Sequence, residues 1–411
     1  MSSTPIAIVG ADAYVNGYPH AAWAELRRRP GLHWHDTEYA EPPFWAVTRR
    51  ADLVAVSKRP DVFRNEPRLA VFPDVPGAPP PVEDRVLRHL LNMDPPDHAR
   101  YRNVTSHRFT PRAVKSLEPA VDRITRDLID GLPAGEDVEI DFVSRIAARM
   151  PLEVLADLLG VPRSDWELMF RWTNQAIGAT DPEYQQGASA VDTMHQAQLA
   201  AFQYFHAMVE ERQRRPTGDL TSLVANGRIE GQALPPRELL SYLFLLVIAG
   251  NETTRNATSG GMLALIENPD QLAKLRRDPS LIDSAVEEIV RFTSPVIQFC
   301  RTPVRDVEVA GTPVRAGQSL CLFYPSANRD EAVFDTPDAF RVDRRPNPHV
   351  GFGIGEHFCL GANIARLELR LAFRHLVRRL EAAELCGPVE RLRSSFVGGI
   401  KRMPVRLRLS A

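Results

Sequence analysis

The sequence predicts a mainly α-helical protein with small β-sheets, and three observations predict it. Apolar residues recur at three- and four-residue spacing through most of the chain from Pro111 onwards. Strand-like runs are short and confined to the two ends. No glycine–serine linker or repeat interrupts the 411 residues, a length that can bury a large core.

In chain order, residues 44–47 (Phe-Trp-Ala-Val) read as an early strand. Residues 72–82 carry Pro73, Pro76, Pro79, Pro80 and Pro81, so no regular element forms there, because proline fixes φ and lacks a donor. The wider prolyl stretch, about 67–86, is open to two readings, a lid over a binding site or a surface loop. Helical spacing then runs over 113–132, 144–159, 188–214, 237–267, 281–292 and 360–380. Gly160-Val161-Pro162 and Asn268-Pro269 stop two of these helices. Late strands fall at 307–309, Val314 and 320–323, with Gly311 and Gly317 as turn residues.

Composition narrows the function. A hydrophobic fraction of 44%, a charged fraction of 25% and a net charge of −2 describe an ordinary globular protein. That balance gives no drive towards nucleic acid or an anionic membrane. Lysine occurs only at Lys58, Lys115, Lys274 and Lys401, so 50 − 4 leaves 46 arginines, planar donors suited to carboxylates. The most apolar segment, 239–250, falls short of the ~20 residues that span a bilayer, and no membrane anchor is expected. Cys300, Cys321, Cys359 and Cys386 form neither a CxxC pair nor a dense framework, which predicts a reducing, cytoplasmic setting.

One cysteine stands apart. In Gly351-Phe352-Gly353-Ile354-Gly355-Glu356-His357-Phe358-Cys359-Leu360-Gly361, the glycines permit positive φ and close backbone approach to a flat ligand. The helical pattern that follows puts Cys359 at a helix N-terminus, where amides and the positive dipole end favour thiolate. A dinucleotide loop would need Gly at 356, where Glu356 stands. For Cys300, Cys321 and Cys386 the plain reading is a small buried hydrophobe.

Three further segments carry unusual residues. Ala249-Gly250-Asn251-Glu252-Thr253-Thr254 interrupts the longest apolar helix with a glycine that costs about 1 kcal/mol relative to alanine. A widened helix there would admit water beside an acid and a hydroxyl able to relay protons; a core helix with Thr253 bonded back to residue 249 is the alternative. Glu288 and Arg291 share a helix face at i,i+3. His98 and Arg102 share one at i,i+4, in a helix begun by prolines.

Taken together, Phe352-Gly353-x-Gly355-x-His357-x-Cys359-x-Gly361 resembles the haem-binding signature of the cytochrome P-450 family. Ala249-Gly250-x-Glu252-Thr253 resembles that family's oxygen-activation motif, with glutamate for the commoner aspartate. The likeness runs from about Asp94 to the C-terminus and only loosely over residues 1–90. It implies the cytochrome P-450 fold as one domain over 1–411 and a haem-thiolate monooxygenase, with a peroxide-using or rearranging haem-thiolate enzyme or a non-catalytic haem sensor as alternatives. Haem b (iron protoporphyrin IX) would have Cys359 as axial iron ligand, with Phe352, Gly353, Gly361 and Ala249 against the cofactor. His98, Arg102, Arg301 and His357 would hold the propionates, which are costly to bury without cations. Thr253 and Glu252 would serve dioxygen and its protons, and Gly355 would admit the loop to the porphyrin. Glu288 and Arg291 would form a structural lock with Arg341 or Arg344.

The resemblance also implies O2 and an apolar small-molecule substrate, a steroid or terpenoid, with a fatty acid as alternative. Leu245, Ile248, Ala249, Val296, Ile297, Phe299, Phe396, Val397, Leu69 and Phe72 would line its pocket. Electrons would come to a monomeric protein from an iron–sulfur ferredoxin and its reductase, no such motif lying in the chain. Arg100, Arg108, Arg112, Arg366 and Arg370 offer a basic face for such a partner, with scattered surface arginines as the plain alternative.

Overall fold

The structure is a computed structural model, described for residues 8, 10–36, 43–71 and 87–410. Phe72, and with it most of the prolyl stretch, lies outside the described residues.

The helices that frame the site are Asp97–Thr105 (α1), Glu118–Asp130 (α2), Arg149–Leu159 (α3), Trp166–Ile177 (α4), Ala190–Arg214 (α5), Pro236–Glu267 (α6), Ile282–Thr293 (α7) and Ala362–Arg379 (α8). The six predicted helical stretches match α2, α3, α5, α6, α7 and α8 to within a few residues, and α4 has no counterpart among them. The stretch predicted over 113–132 is two helices, Pro111–Lys115 and α2, because Pro119 supplies the early turn of a fresh helix. The stretch predicted from 144 begins as a π-turn, Val143–Ala147, before α3.

Helix α6 is the axis of the molecule. Leu239, Tyr242, Leu243, Val247, Met262 and Leu265 along it are all buried, and it packs against α3, α4, α5, α7 and α8. A helix whose apolar residues are buried on all sides along most of its length belongs in the centre of a core.

The early strand pairs far along the chain. Strands His33–His35 (β1), Phe44–Val47 (β2), Phe63–Arg64 (β3), Gln298–Pro303 (β5) and Ser319–Phe323 (β6) form one sheet in the order β1-β2-β6-β5-β3. The β2–β6 pair is parallel, with Phe44 opposite Ser319 and Val47 opposite Leu322. Phe44, Ala46 and Val47 are fully buried. A second sheet joins Asp137–Asp141 (β4), Leu380–Leu385 (β7) and Pro404–Leu409 (β8) in the order β7-β8-β4, all antiparallel.

Glu288 is a buried hub. It accepts from Arg291 Nε at 2.7 Å and Arg291 Nη2 at 2.8 Å, and from Arg344 Nε at 3.1 Å. Arg344 is therefore the second guanidinium of the lock; Arg341 contributes its backbone N–H, at 2.9 Å, and turns its side chain to Asp335. Arg291 also donates to the carbonyls of Asn328, Pro337 and Ala339, tying α7 to the long loop that leads to Cys359.

Candidate active site

A cavity of about 260 Å³ lies between α6 and the N-terminal end of α8. The loop before α8 brings Cys359 to its wall. Gly353 and Gly355 take φ of +71° and +80°, which side-chain-bearing residues rarely adopt. The Cys359 amide donates to Phe352 O at 2.8 Å, closing the loop on itself. Burial pushes the Cys359 thiol up, while an amide hydrogen bond at Gly361 and the charges of Arg102 and Arg366 pull it back. Gly355 has a different part from the one expected of it: a Cβ there would stand 2.3 Å from Ser57 O, so the residue serves loop-to-backbone packing.

The predicted propionate-holding residues converge on the same cavity. His98, Arg102, Arg301 and His357 all line it with Cys359, Phe352, Gly353, Gly361 and Ala249. Alternation along β5 sends Phe299 and Arg301 to the cavity and Gln298 and Cys300 to the opposite core. Arg301 is buried, and its described hydrogen bond is to Cys300 O at 2.7 Å, with no carboxylate partner among the described residues. Arg102 Nη2 donates to Phe358 O at 2.7 Å. His98 Nδ1 meets Glu356 Oε1 at 2.9 Å, and Asn65 Nδ2 donates to His357 Nε2 at 2.5 Å. Burial, with the nearby charges of His98, Arg301 and Arg102, pushes the His357 imidazole down to about 2. Buried guanidinium without a carboxylate, beside a thiol, fits a flat cofactor carrying acid groups at one edge and a thiophilic metal at its centre.

On α6, Leu245, Leu246, Ile248, Ala249, Gly250, Glu252, Thr253 and Thr254 line the cavity. The helix is regular throughout, which is the second of the two readings the segment offered. Gly250 instead makes room for Leu155 of α3, whose methyl would lie 3.2 Å from an added Cβ. Thr253 Oγ1 donates to Ala249 O at 2.9 Å. Glu252 is ion-paired with Arg255, accepts from Asn256 Nδ2 at 3.2 Å, and keeps Oε2 without a hydrogen-bond partner. Burial pushes its carboxyl up, against the pull of Arg255 and Asn256. Arg255 reaches on to Asn174 Oδ1 at 2.8 Å, near the end of α4.

Val296, Phe299, Phe396 and Val397 also line the cavity; Ile297 and Leu69 do not. Val296 pairs with Val397 in an isolated bridge, and the next residue of an extended chain faces the other way. Ile297 accordingly packs with Trp23, Tyr14 and Phe323. Leu69 accepts a hydrogen bond from the Cys300 amide at 2.7 Å, beside β5. Sequence reading missed Asn65, Tyr324, Leu155, Ile177 and Glu368, all in the lining. Of the proposed basic face, Arg366 is bidentate to Glu287 at 2.6 and 2.8 Å, Arg370 meets Asp283 at 3.8 Å and Arg100 meets Glu230 at 2.8 Å.

Fold and site together define a helical protein built around a cavity with one thiol donor. Residues 153–393 match the family model described as Cytochrome P450. The chain is 38% identical over 392 residues to a methyl-branched lipid omega-hydroxylase of Mycobacterium tuberculosis, covering 93% of this chain and 90% of the relative. It is 38% identical over 388 residues to a steroid C26-monooxygenase of Mycolicibacterium smegmatis, covering 93% and 89%. A Mycobacterium marinum cytochrome P450 solved in complex with pseudoionone superposes with a TM-score of 0.89 at 34% identity, covering 98% of this chain and all (100%) of that one. The chain belongs to the cytochrome P450 family. It is a monooxygenase, and the family implies a haem-thiolate cofactor. No helix among the described residues is long and apolar enough to cross a membrane.

Proposed function

We propose that this monooxygenase hydroxylates a steroid or terpenoid, with haem b held in the cavity by Cys359. His98, Arg102, Arg301 and His357 would receive the propionates, and Phe352 would cover the sulfur. The haem, when bound, supplies the activation of O2. The observation that carries the substrate class is the wall. Leu90, Leu155, Ile177, Leu245, Ile248 and Val296 give it hydrocarbon. Its described cationic groups are those facing the Cys359 end, so the headgroup of a fatty acid meets no cation elsewhere in the described lining. The relative named as a steroid C26-monooxygenase supports the steroid reading, and the one named as a methyl-branched lipid omega-hydroxylase supports the fatty-acid alternative.

The chain's own residues would handle protons. Thr253 Oγ1, by turning from Ala249 O, presents its hydroxyl to the cavity. Glu252 Oε2 is the atom left to exchange a proton with cavity water. Electrons would come from a separate iron–sulfur ferredoxin and its reductase to a cytoplasmic, monomeric, single-domain enzyme. A panel of steroids, terpenoids and fatty acids, titrated against the purified holoprotein, tests the class. Steroids or terpenoids are expected to give the low- to high-spin shift, and a shift by fatty acids alone overturns it. Cys359→Ala should abolish the red-shifted Soret band of the reduced carbon monoxide complex; an unchanged band overturns the ligand.

A further inference from the structure

The sheet beside the cavity carries a pair of thiols that the monooxygenase site does not use. Cys300 of β5 and Cys321 of β6 stand directly opposite each other in the antiparallel register. Both are fully buried, among Trp23, Phe44, Ile297 and Phe323. The Cys300 amide donates to Leu69 O at 2.7 Å, not to β6. Further along, the Tyr324 amide bonds across to Ile297 O at 3.0 Å. Bonded and non-bonded pairs alternate along an antiparallel ladder, so by both counts Cys300 and Cys321 are a non-hydrogen-bonded pair. Such a pair brings its Cα atoms to about 4.5 Å, inside the roughly 4.4–6.8 Å over which a disulfide closes. Directly opposite residues also send their side chains to the same face of the sheet, so the two sulfurs share one side of it.

We propose that Cys300 and Cys321 are a modification site, a dithiol that hydrogen peroxide closes to a cross-strand disulfide. One sulfur attacks peroxide and becomes a sulfenic acid, while its proton and the departing hydroxide make water. The second sulfur attacks the first, forming the S–S bond and expelling the sulfenic oxygen as another water. The two thiols lose two electrons and one peroxide becomes two waters. Peroxide arises in a monooxygenase whenever two electrons and two protons reach O2 without hydroxylation. A small-molecule thiol reopens the bridge by exchange. Because both sulfurs are buried, the rate follows local opening of the structure that covers them. The bridge also touches the cavity wall. Cys321 Sγ donates to Gln298 Oε1 at 3.3 Å, and Gln298 holds the backbone of Val71 at 2.9 and 3.0 Å. Turning Cys321 towards Cys300 withdraws that donor, while Phe299 and Arg301, on either side of Cys300, face the cavity.

Peptide mass spectrometry tests it. Holoprotein carrying Cys386→Ser, which removes the exposed thiol, is treated with hydrogen peroxide, then denatured, alkylated and cut with trypsin. Cleavage after arginine separates the two cysteines into peptides 292–301 and 316–329. The expected result is loss of alkylation at both, with the two peptides joined and lighter by two hydrogens than their sum. Dithiothreitol should restore both alkylation sites, and Cys321→Ala should give no joined pair. Full alkylation of Cys300 and Cys321 after peroxide overturns the proposal. Sulfinic or sulfonic acid at either residue without the joined pair overturns it equally, as does a bridge made only to Cys359.

Discussion

Replacing Glu288 by glutamine isolates the charge at the hub of the α7 lock, because the side chain keeps its size. Glu288 and Arg291 are completely buried and Arg344 is 4% exposed. One carboxylate faces two guanidiniums, with the Arg341 amide at 2.9 Å and Asn347 Nδ2 at 3.1 Å completing its shell. Glutamine keeps one acceptor oxygen and points an NH2 at groups that only donate. Breaking a buried pair from one side costs about 3–5 kcal/mol, since the remaining charge stays out of water. With an m-value of a few kcal/mol per molar, the urea midpoint is expected to fall by about 1 M. Far-UV circular dichroism against urea reads it. A midpoint for Glu288→Gln within about 0.2 M of wild type would refute the reasoning.

Other outcomes follow from single sites. Gly355→Ala places a Cβ 2.3 Å from Ser57 O at a φ of +80°, and should lower stability by about 2 kcal/mol or more, read as a lower melting temperature. Arg301→Leu removes a buried cation that lacks a carboxylate; haem transfer to a globin acceptor should quicken on the order of tenfold while the apoprotein melts no earlier. Burial alone would raise Glu287, but its contacts with Arg366 and His349 bring it down to about 2. A lowered folded-state value means its stabilisation is complete above the unfolded 4.5 and is lost as pH falls towards 2. Glu287→Gln should flatten that acid limb of the stability profile. Thr253→Ala should keep binding substrate and divert electrons to peroxide, measured as peroxide per electron consumed; unchanged coupling would remove Thr253 from the proton route.

Legibility in the sequence followed the reach of each interaction. Helix α6 was readable because its apolar residues carry their own periodicity, and the Cys359 loop because glycine spacing is local. Ile297 was misplaced because an isolated bridge at Val296 sets the facing of its neighbour, and the partner, Val397, lies a hundred positions away. Glu368 reads in sequence as one more charge on an amphipathic helix; only the packing of α8 on α6 takes it out of water. Asn65 was invisible for the same reason, since its contact with His357 spans 292 positions. Gly250 was seen as a gap, but the sequence does not show that Leu155 fills it. Thr253 offered two readings, and its bond to Ala249 O is the local one.

The parallel pairing of β2 with β6 has a consequence during synthesis. Phe44 faces Ser319, so 319 − 44 leaves 275 residues to be made before the partner strand exists. At about 5–20 residues per second, the ribosome needs tens of seconds to deliver it. Throughout that interval the apolar run at Phe44, Ala46 and Val47 is an unfinished edge, the kind of segment that chaperones bind and aggregates recruit.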